Sequence, residues 1–166
     1  NRKYKKAYFN EFKNTWHHGD YAEKKKTGGY IIYGRSDATL NPGGVRLGTA
    51  EIYSVVEGFE QIKESICVGQ SWKNDVRIIL FVVLKKNHQL SSNLIKSIKV
   101  AIRKDASPRH VPAKIIQVED IPRTKNGKIV ELAVKNIIDG TSIKNKQALA
   151  NPEALNLFIK LDELNY

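Results

Sequence analysis

Apolar residues cluster in the middle of the chain, where their pattern predicts two consecutive β-strands. Residues 76–84 are apolar at every position except Arg77. Such a run without alternation indicates a central strand that is buried on both faces. Ile62, Ile66 and Val68 mark an earlier strand, and residues 72–75 form the turn between the two. Shorter β-rich segments predict further strands at 30–33 and 114–118.

Other segments have the spacing of amphipathic helices. Ser91 begins one of them, in which apolar residues recur every three or four positions as far as Ile102. Residues 131–139 form another, stopped by Gly140. A shorter helix is expected after Gly48, with Thr49 as its N-cap.

The segment after residue 150 predicts one more helix. Asn151 is of a type favoured at the N-cap, and Pro152 is favoured at the first helical position. An apolar stripe follows, made of Ala154, Leu155, Leu157, Phe158 and Leu161. Because such a stripe is stable only when covered, this helix is expected to pack on another surface.

A glycine-rich stretch lies between the strand at 30–33 and the next helix. Residues 41–44 read Asn-Pro-Gly-Gly, a turn in which proline fixes φ and glycine permits positive φ. Arg35 and Arg46 bracket this region. Guanidinium groups bind phosphate and carboxylate in pairs of hydrogen bonds, so the stretch is a candidate anion site. A tight hairpin with solvated arginines is the alternative interpretation.

A second turn presents a lysine. Pro122 fixes the backbone, Asn126 and Gly127 form a strong turn dipeptide, and Lys128 follows them. A lysine in this position can reach a neighbouring cleft and stabilise negative charge that develops on oxygen atoms. The alternative is a surface hairpin with a solvated lysine.

Histidines occur at two places that invite a functional reading. His17 and His18 are adjacent, which disfavours a metal site because neighbouring residues of a strand point to opposite faces. Asp20 follows them, and its carboxylate could accept two hydrogen bonds from a sugar diol or could serve a turn between strands. Residues 21–29 are polar and end in two glycines, which predicts a loop. His110 is expected to be structural, since no partner acid is evident nearby.

Composition limits the classes of protein that remain. The 166 residues are 41% hydrophobic and 27% charged, as in ordinary globular proteins. No apolar run has the length of a membrane span, and the single cysteine, Cys67, excludes an intrachain disulfide and fits a cytoplasmic protein. A net charge of +11 indicates attraction to polyanions, although the basic residues are scattered. The chain lacks methionine and begins with Asn1, so we expect it to be a fragment of a longer product.

The order of these motifs resembles that of the adenylate-forming acyl-CoA synthetases. In that family a Gly-Arg-x-Asp hinge precedes a Gly-x-Arg loop and a Glu-Ile helix, and here the same motifs stand at 34–37, 44–46 and 51–52. Residues 122–128 resemble the family's Pro-Lys-Thr-x-x-Gly-Lys loop, with Arg123 in place of the usual lysine. The sequence of residues 40–53 is similar to that of the acetoacetyl-CoA synthetase branch of the family.

The resemblance implies an α+β fold in three parts. Residues 1–35 would be the terminal strands of a large N-terminal adenylation domain together with the approach to the hinge. Residues 36–139 would form a small mobile C-terminal domain, a short sheet with flanking helices, and 140–166 a branch-specific helical extension. The implied reaction joins acetoacetate to ATP, with Mg²⁺ screening the phosphates, and then passes the acyl group to CoA with release of AMP. This fragment alone is expected to be inactive, because it has no phosphate loop and no acid-pocket motif.

The resemblance also assigns residues to the adenylation step. Asp20 matches the aspartate of the family's Thr-Gly-Asp motif, with His18 in place of threonine, and would hold the ribose of ATP. Arg35 would contact the nucleotide, and Arg46 would lie near the phosphates. Lys128 would be the catalytic residue.

Other residues would serve the hinge and the CoA step. Asp37 would be the pivot about which the small domain swings. Gly43 and Gly44 would let the backbone approach the thiol arm of CoA, since a side chain would block that passage. Arg103 would face the adenine-nucleotide end of CoA. No protein metal site is implied.

Three alternatives remain at this stage. The parent enzyme could activate acetate or propionate instead of acetoacetate, since the acid pocket lies outside this chain. The chain could also be a stand-alone CoA-binding domain or a basic RNA-binding module. No strand pairs aromatic residues as RNA-stacking platforms do, so neither nucleic acid nor membrane is expected as a partner.

Overall fold

The computed structural model describes residues 2–143 and 146–165 of the chain. Within these ranges, short 3₁₀-helices at Pro42–Gly44, Pro108–His110, Lys146–Ala148, Pro152–Phe158 and Asp162–Leu164 accompany the regular elements. The α-helices and β-strands, in chain order, are α1 Arg2–Tyr8, β1 Asp20–Lys24, β2 Tyr30–Arg35, α2 Thr49–Val56, β3 Ile62–Trp72, β4 Asp75–Leu84, α3 Ser92–Asp105, β5 Lys114–Gln117 and α4 Glu131–Ile138.

A three-stranded sheet forms the centre of the fold, in the order β3-β4-β5. β4 pairs antiparallel with β3 across a tight turn, and its register runs from Asp75 opposite Trp72 to Leu84 opposite Ile62. β5 then pairs parallel to β4, after a crossover that contains α3. The predicted central strand is therefore confirmed.

Each face of this sheet carries a hydrophobic cluster of its own. Ile78, Leu80 and Val82 of β4 contribute to the cluster that includes buried residues of α2 and α3. Ile79 and Phe81 contribute to the opposite cluster, which includes residues of α4 and of the C-terminal segment. Because both faces are buried, the sequence of β4 shows no alternation of polar and apolar residues.

The helix predicted from Ser91 is also confirmed. The Ser91 side chain accepts a hydrogen bond from the backbone N–H of Leu94 at 3.2 Å, which caps α3. Ile98 and Ile102 are fully buried against the sheet. At α2 the cap differs from the prediction, because Gly48 is the N-cap and Thr49 is the first helical residue. A Cβ on Gly48 would lie 2.4 Å from the carbonyl oxygen of Tyr33, so this close approach requires glycine.

The C-terminal segment covers the second face of the sheet, as the apolar stripe predicted. Its secondary structure differs from the prediction, since Pro152–Phe158 is a 3₁₀-helix and Asn151 makes no side-chain cap bond. The Asn151 side chain instead accepts from the N–H of Arg123 at 2.8 Å and donates to Asp120 at 2.7 Å. Phe158 is fully buried. Its ring meets that of Phe81 edge-on, with centroids 4.9 Å apart.

β1 and β2 form a separate antiparallel sheet of two strands. The loop predicted over 21–29 is therefore wrong at its start, where Tyr21–Lys24 belongs to β1. This segment is polar, and its extended form depends on backbone pairing with β2 and not on an apolar face. The turn itself occupies the remaining residues, with Gly28 at a φ of +90°. In the part of the chain that the structure describes, no helix is long and apolar enough to cross a membrane.

Candidate functional site

Arg35, at the end of β2, contacts two other predicted site residues, Asp20 and Asp37. Its Nη1 donates to the carbonyl oxygen of His18 at 2.8 Å and lies 3.8 Å from Oδ1 of Asp20. Its Nε and Nη2 each lie 3.3 Å from a carboxylate oxygen of Asp37. The hydrogen bonds that Arg35 donates to Asp37 raise the pKa of Arg35 above its ordinary value. The predicted ribose ligand and the predicted pivot thus share one guanidinium.

The second oxygen of Asp20 has a different partner. Nδ1 of His18 lies 2.5 Å from Oδ2 of Asp20, and both side chains remain accessible to solvent. His18 was predicted from the sequence only to replace a threonine. The Gly19 between them has a φ of +88°, and a Cβ there would lie 2.8 Å from the Arg35 guanidinium. Glycine therefore allows the close contact between Arg35 and the His18 backbone.

Arg46 lies beside the same two-stranded sheet. Its guanidinium carbon is 5.7 Å from the centre of the Tyr21 ring, within the range of a cation–π contact. The Tyr21 ring in turn packs on Tyr33 at 5.2 Å. Tyr33 donates to Glu23 at 2.7 Å, which raises the pKa of the tyrosine to about 12. Arg46 therefore stands next to the strand that begins with Asp20.

Gly43 and Gly44 form an exposed turn with left-handed backbone. Their φ angles are 58° and 76°, and a Cβ on either would meet no atom within 4 Å. The N–H of Gly43 donates to both carboxylate oxygens of Asp75, at 2.9 and 3.1 Å. Hydrogen bonds from the N–H groups of Val76 and Gly43 lower the pKa of Asp75. Asp75 was missed from sequence, where it stands as an ordinary turn residue.

Lys128 is exposed at the end of its turn, as predicted. Gly127 adopts a φ of +76°, and the turn is closed by a bond from the N–H of Thr124 to the carbonyl of Lys128 at 2.8 Å. Arg123 joins the turn to the sheet. Its Nη1 donates to the carbonyl of Gly127 at 2.9 Å, and its Nη2 lies 2.8 Å from Oε2 of Glu64 on β3.

The Lys128 turn and the glycine turn lie near opposite ends of the β3–β4 hairpin. Glu64 is opposite Val83, whereas Asp75 begins β4. Val83 lies eight positions along the strand from Asp75, a distance of about 26 Å at about 3.3 Å per residue. Arg103 is exposed in the last turn of α3. The predicted residues thus form one cluster, at Arg35, and several separate positions.

The part of the chain from α2 to Lys128 matches a known protein family. Residues 51–128 match the protein family described as AMP-binding enzyme C-terminal domain. These residues are similar to that domain. The match begins at Glu51, in α2, and ends at Lys128, so it contains the whole three-stranded sheet.

The similarity to larger enzymes extends beyond this domain. The chain is 60% identical over 162 residues to acetoacetyl-coenzyme A synthetase of Rhizobium meliloti (strain 1021). The aligned region covers 98% of this chain and 25% of that protein. The chain is 49% identical over 164 residues to acetoacetyl-CoA synthetase of Gallus gallus, with the same shares. The solved acetoacetyl-CoA synthetase from Streptomyces lividans superposes with a TM-score of 0.87 at 35% identity, over 99% of this chain and 25% of that one.

These similarities confirm the resemblance to adenylate-forming acyl-CoA synthetases and the α+β fold. The chain spans about a quarter of the length of the relatives that it matches. The roles of the individual site residues remain predictions.

A partly buried polar network that was not predicted from sequence joins α2, β3 and α4. The hydroxyl of Tyr53 donates to Glu131 at 2.5 Å and accepts from the N–H of Cys67 at 3.0 Å. Burial raises the pKa of the Glu131 carboxyl, and burial also raises the pKa of the Cys67 thiol. Cys67 is therefore a buried structural residue and not a nucleophile.

His110 is structural in the way that was expected, but it does have an acidic partner. Its Nε2 lies 3.1 Å from Glu51 of α2, and its Nδ1 lies 2.8 Å from Oγ of Ser107. The imidazole is almost completely buried between them. Because Glu51 precedes His110 by 59 residues, local sequence could not reveal this contact. Across residues 2–143 and 146–165, no group of three or more His, Cys, Asp or Glu side chains could hold a metal ion.

Proposed function

We propose that this chain is part of an AMP-forming acyl-CoA ligase that produces acetoacetyl-CoA. The observation that carries the proposal is the 60% identity to an acetoacetyl-coenzyme A synthetase, which extends over 162 residues. In the first half-reaction the carboxylate of acetoacetate attacks the α-phosphorus of ATP, which gives acetoacetyl-adenylate and pyrophosphate. In the second, the thiol of CoA attacks the acyl carbon, and AMP leaves. We expect the parent enzyme to be cytoplasmic.

The proposed domain boundaries follow the division of the strands into two separate sheets. Residues 1–35 are assigned to the large N-terminal domain of the same polypeptide, because β1 and β2 pair only with each other among the described strands. Residues 36–139 are assigned to the mobile domain, and 140–166 to an extension that packs on it. Tyr30 and Ile32 of β2 are 66% and 56% exposed, which suits contact with the rest of that large domain.

Adenylation is assigned to the exposed Lys128 and to the residues around Arg35. Lys128 stabilises the negative charge that develops between the carboxylate and the α-phosphate. Asp20 accepts hydrogen bonds from the ribose hydroxyls, and Arg35 and Arg46 supply positive charge to the nucleotide. Mg²⁺ would supply charge screening at the ATP phosphates. No described residues group as its ligands, so none of them is assigned to the ion.

Acyl transfer is assigned to the other end of the hairpin. The open space at Gly43 and Gly44 fits the passage of a thiol arm, and Arg103 fits the phosphates of the CoA nucleotide. With about 26 Å of strand between the two turns, one orientation of the domain cannot present both to the same substrate atoms. Rotation about Asp37 between the half-reactions resolves this.

The proposal is tested by ATP–pyrophosphate exchange in the full-length parent protein, with acetoacetate, acetate and propionate as acids. We expect exchange with acetoacetate, and a loss of about 10²–10³-fold in Lys128→Ala. Lys128→Ala should still form acetoacetyl-CoA from supplied acetoacetyl-adenylate. Lys125→Ala, in the same turn and also exposed, is the matched control and should exchange normally.

The other outcomes each exclude part of the proposal. Exchange with acetate or propionate alone would keep the ligase and reject acetoacetate. Exchange with none of the acids would reject the ligase and favour a CoA-binding or RNA-binding domain. Normal exchange in Lys128→Ala would reject the role of the lysine.

A further inference from the structure

The Arg123 side chain links the Lys128 turn to the sheet through two contacts of its charged guanidinium. Arg123 donates through Nη1 to the carbonyl of Gly127, the residue before Lys128. Through Nη2 it pairs with Glu64 of β3 at 2.8 Å. Arg123 and Glu64 are only 30% and 27% exposed, so the pair is shielded more than an ordinary surface ion pair.

The bond to the Gly127 carbonyl restrains the backbone next to the lysine. Gly127 and Lys128 share the peptide unit that contains this carbonyl, so a bond to its oxygen restrains the backbone from which the Lys128 side chain leaves. The neighbouring Lys125 and Asn126 are exposed. Backbone bonds hold the first half of the turn to the C-terminal segment, from Lys125 N–H to Ala148 at 3.2 Å and from Ala150 N–H to Arg123 at 2.8 Å. The Arg123 side chain helps to restrain the second half.

An arginine can make both contacts because its guanidinium carries donors on separate nitrogens in a rigid plane. Nη1 and Nη2 reach the carbonyl and the carboxylate at the same time, 2.9 and 2.8 Å away. A lysine at this position would offer one nitrogen on a flexible stem. It could keep the ion pair with Glu64 but would hold the carbonyl less rigidly.

We propose that Arg123 and Glu64 are positioning residues for Lys128 in the adenylation step. The inference rests on the proposed function, in which Lys128 acts on the reacting carboxylate and phosphate. Arg123 and Glu64 do not touch substrate. They fix the turn to the rigid edge of the sheet, so that the ammonium enters the active site in one orientation. A small misplacement of such a group can lower the rate by about 10²-fold.

The test compares the two half-reactions of the full-length parent enzyme in Arg123→Lys and Glu64→Gln. Adenylation is followed by ATP–pyrophosphate exchange with acetoacetate, and acyl transfer by formation of acetoacetyl-CoA from supplied adenylate. We expect kcat for exchange to fall about 10- to 100-fold in both variants, with little change in KM for ATP. Acyl transfer should stay within about twofold, because its residues lie at the other end of the hairpin.

Two further variants sharpen the test. Lys63→Gln, an exposed neighbour of Glu64 on β3, is the matched control and should leave both half-reactions unchanged. The double variant Glu64→Gln with Arg123→Lys should lose no more exchange activity than the more impaired of the two single variants, because both changes break one unit.

Three results would overturn the inference. Wild-type exchange in Arg123→Lys and Glu64→Gln would show that the pair does not position the lysine. An equal fall in both half-reactions, together with a lower melting temperature, would show a general loss of folded domain. Independent, multiplicative losses in the double variant would show that the two residues do not act as one unit. In each case, normal exchange by the wild type and its loss in Lys128→Ala would leave the proposed function intact.

Discussion

Replacement of Phe158 by alanine tests whether the C-terminal segment is part of the folded core. The ring is fully buried and packs edge-on against Phe81 at 4.9 Å. Phe→Ala changes at such sites lower the free energy of unfolding by about 3–5 kcal/mol, through lost transfer energy and the cavity that remains. That is a large share of the roughly 5–15 kcal/mol that stabilises a typical domain.

The assay is urea unfolding of this chain, followed by far-UV circular dichroism. With a denaturant slope of about 2 kcal/mol per molar, the expected loss moves the midpoint down by about 1.5–2.5 M. Ile159→Ala is the matched control, because Ile159 is the next residue and is 50% exposed. Its expected loss is about 1 kcal/mol or less.

Equal midpoints for the two variants would refute the reasoning. They would mean that the segment does not cover the sheet in solution, and that the Phe81 face is closed in another way. A change in slope as well as in midpoint would point to partial unfolding of the segment in the native state.

Two further predictions concern charged groups. Burial raises the pKa of Glu131 above its ordinary value of 4.5, so the stabilisation from its protonated form is complete below pH 4.5 and is lost as the pH rises through the folded-state pKa. Glu131→Gln should therefore become more stable relative to wild type between pH 4.5 and 7 in thermal melts, and a constant difference would contradict the burial of a charge. Asp75→Ala should release the Gly43 backbone and slow acyl transfer in the parent enzyme while ATP–pyrophosphate exchange continues, and the opposite pattern would reject the proposed role of the glycine turn.

The elements that could be predicted from sequence are those whose signal is local. The continuous apolar run of β4, the helical period of α3 and its serine cap all appear in the structure where the pattern indicated them. The turns at Gly43 and Gly127 could be predicted as well, because glycine permits the positive φ that both residues adopt.

The features that could not be predicted depend on partners far away in the chain. β1 is a strand because β2 pairs with it, although its own sequence is polar. Asn151 does not cap the helix that follows it, because its side chain is used by Arg123 and Asp120. The contacts Glu51–His110 and Glu64–Arg123 each span 59 residues and follow no periodic pattern.

The cover over the second face of the sheet has a consequence for how the protein is made. Phe81 and its neighbours on that face lie in β4, whereas Phe158 and Leu164, which help to close it, come about 80 residues later. During synthesis the sheet can therefore form with part of this face still open to solvent. A premature stop before residue 152 would leave part of this apolar face exposed, and we expect such a product to aggregate or be degraded.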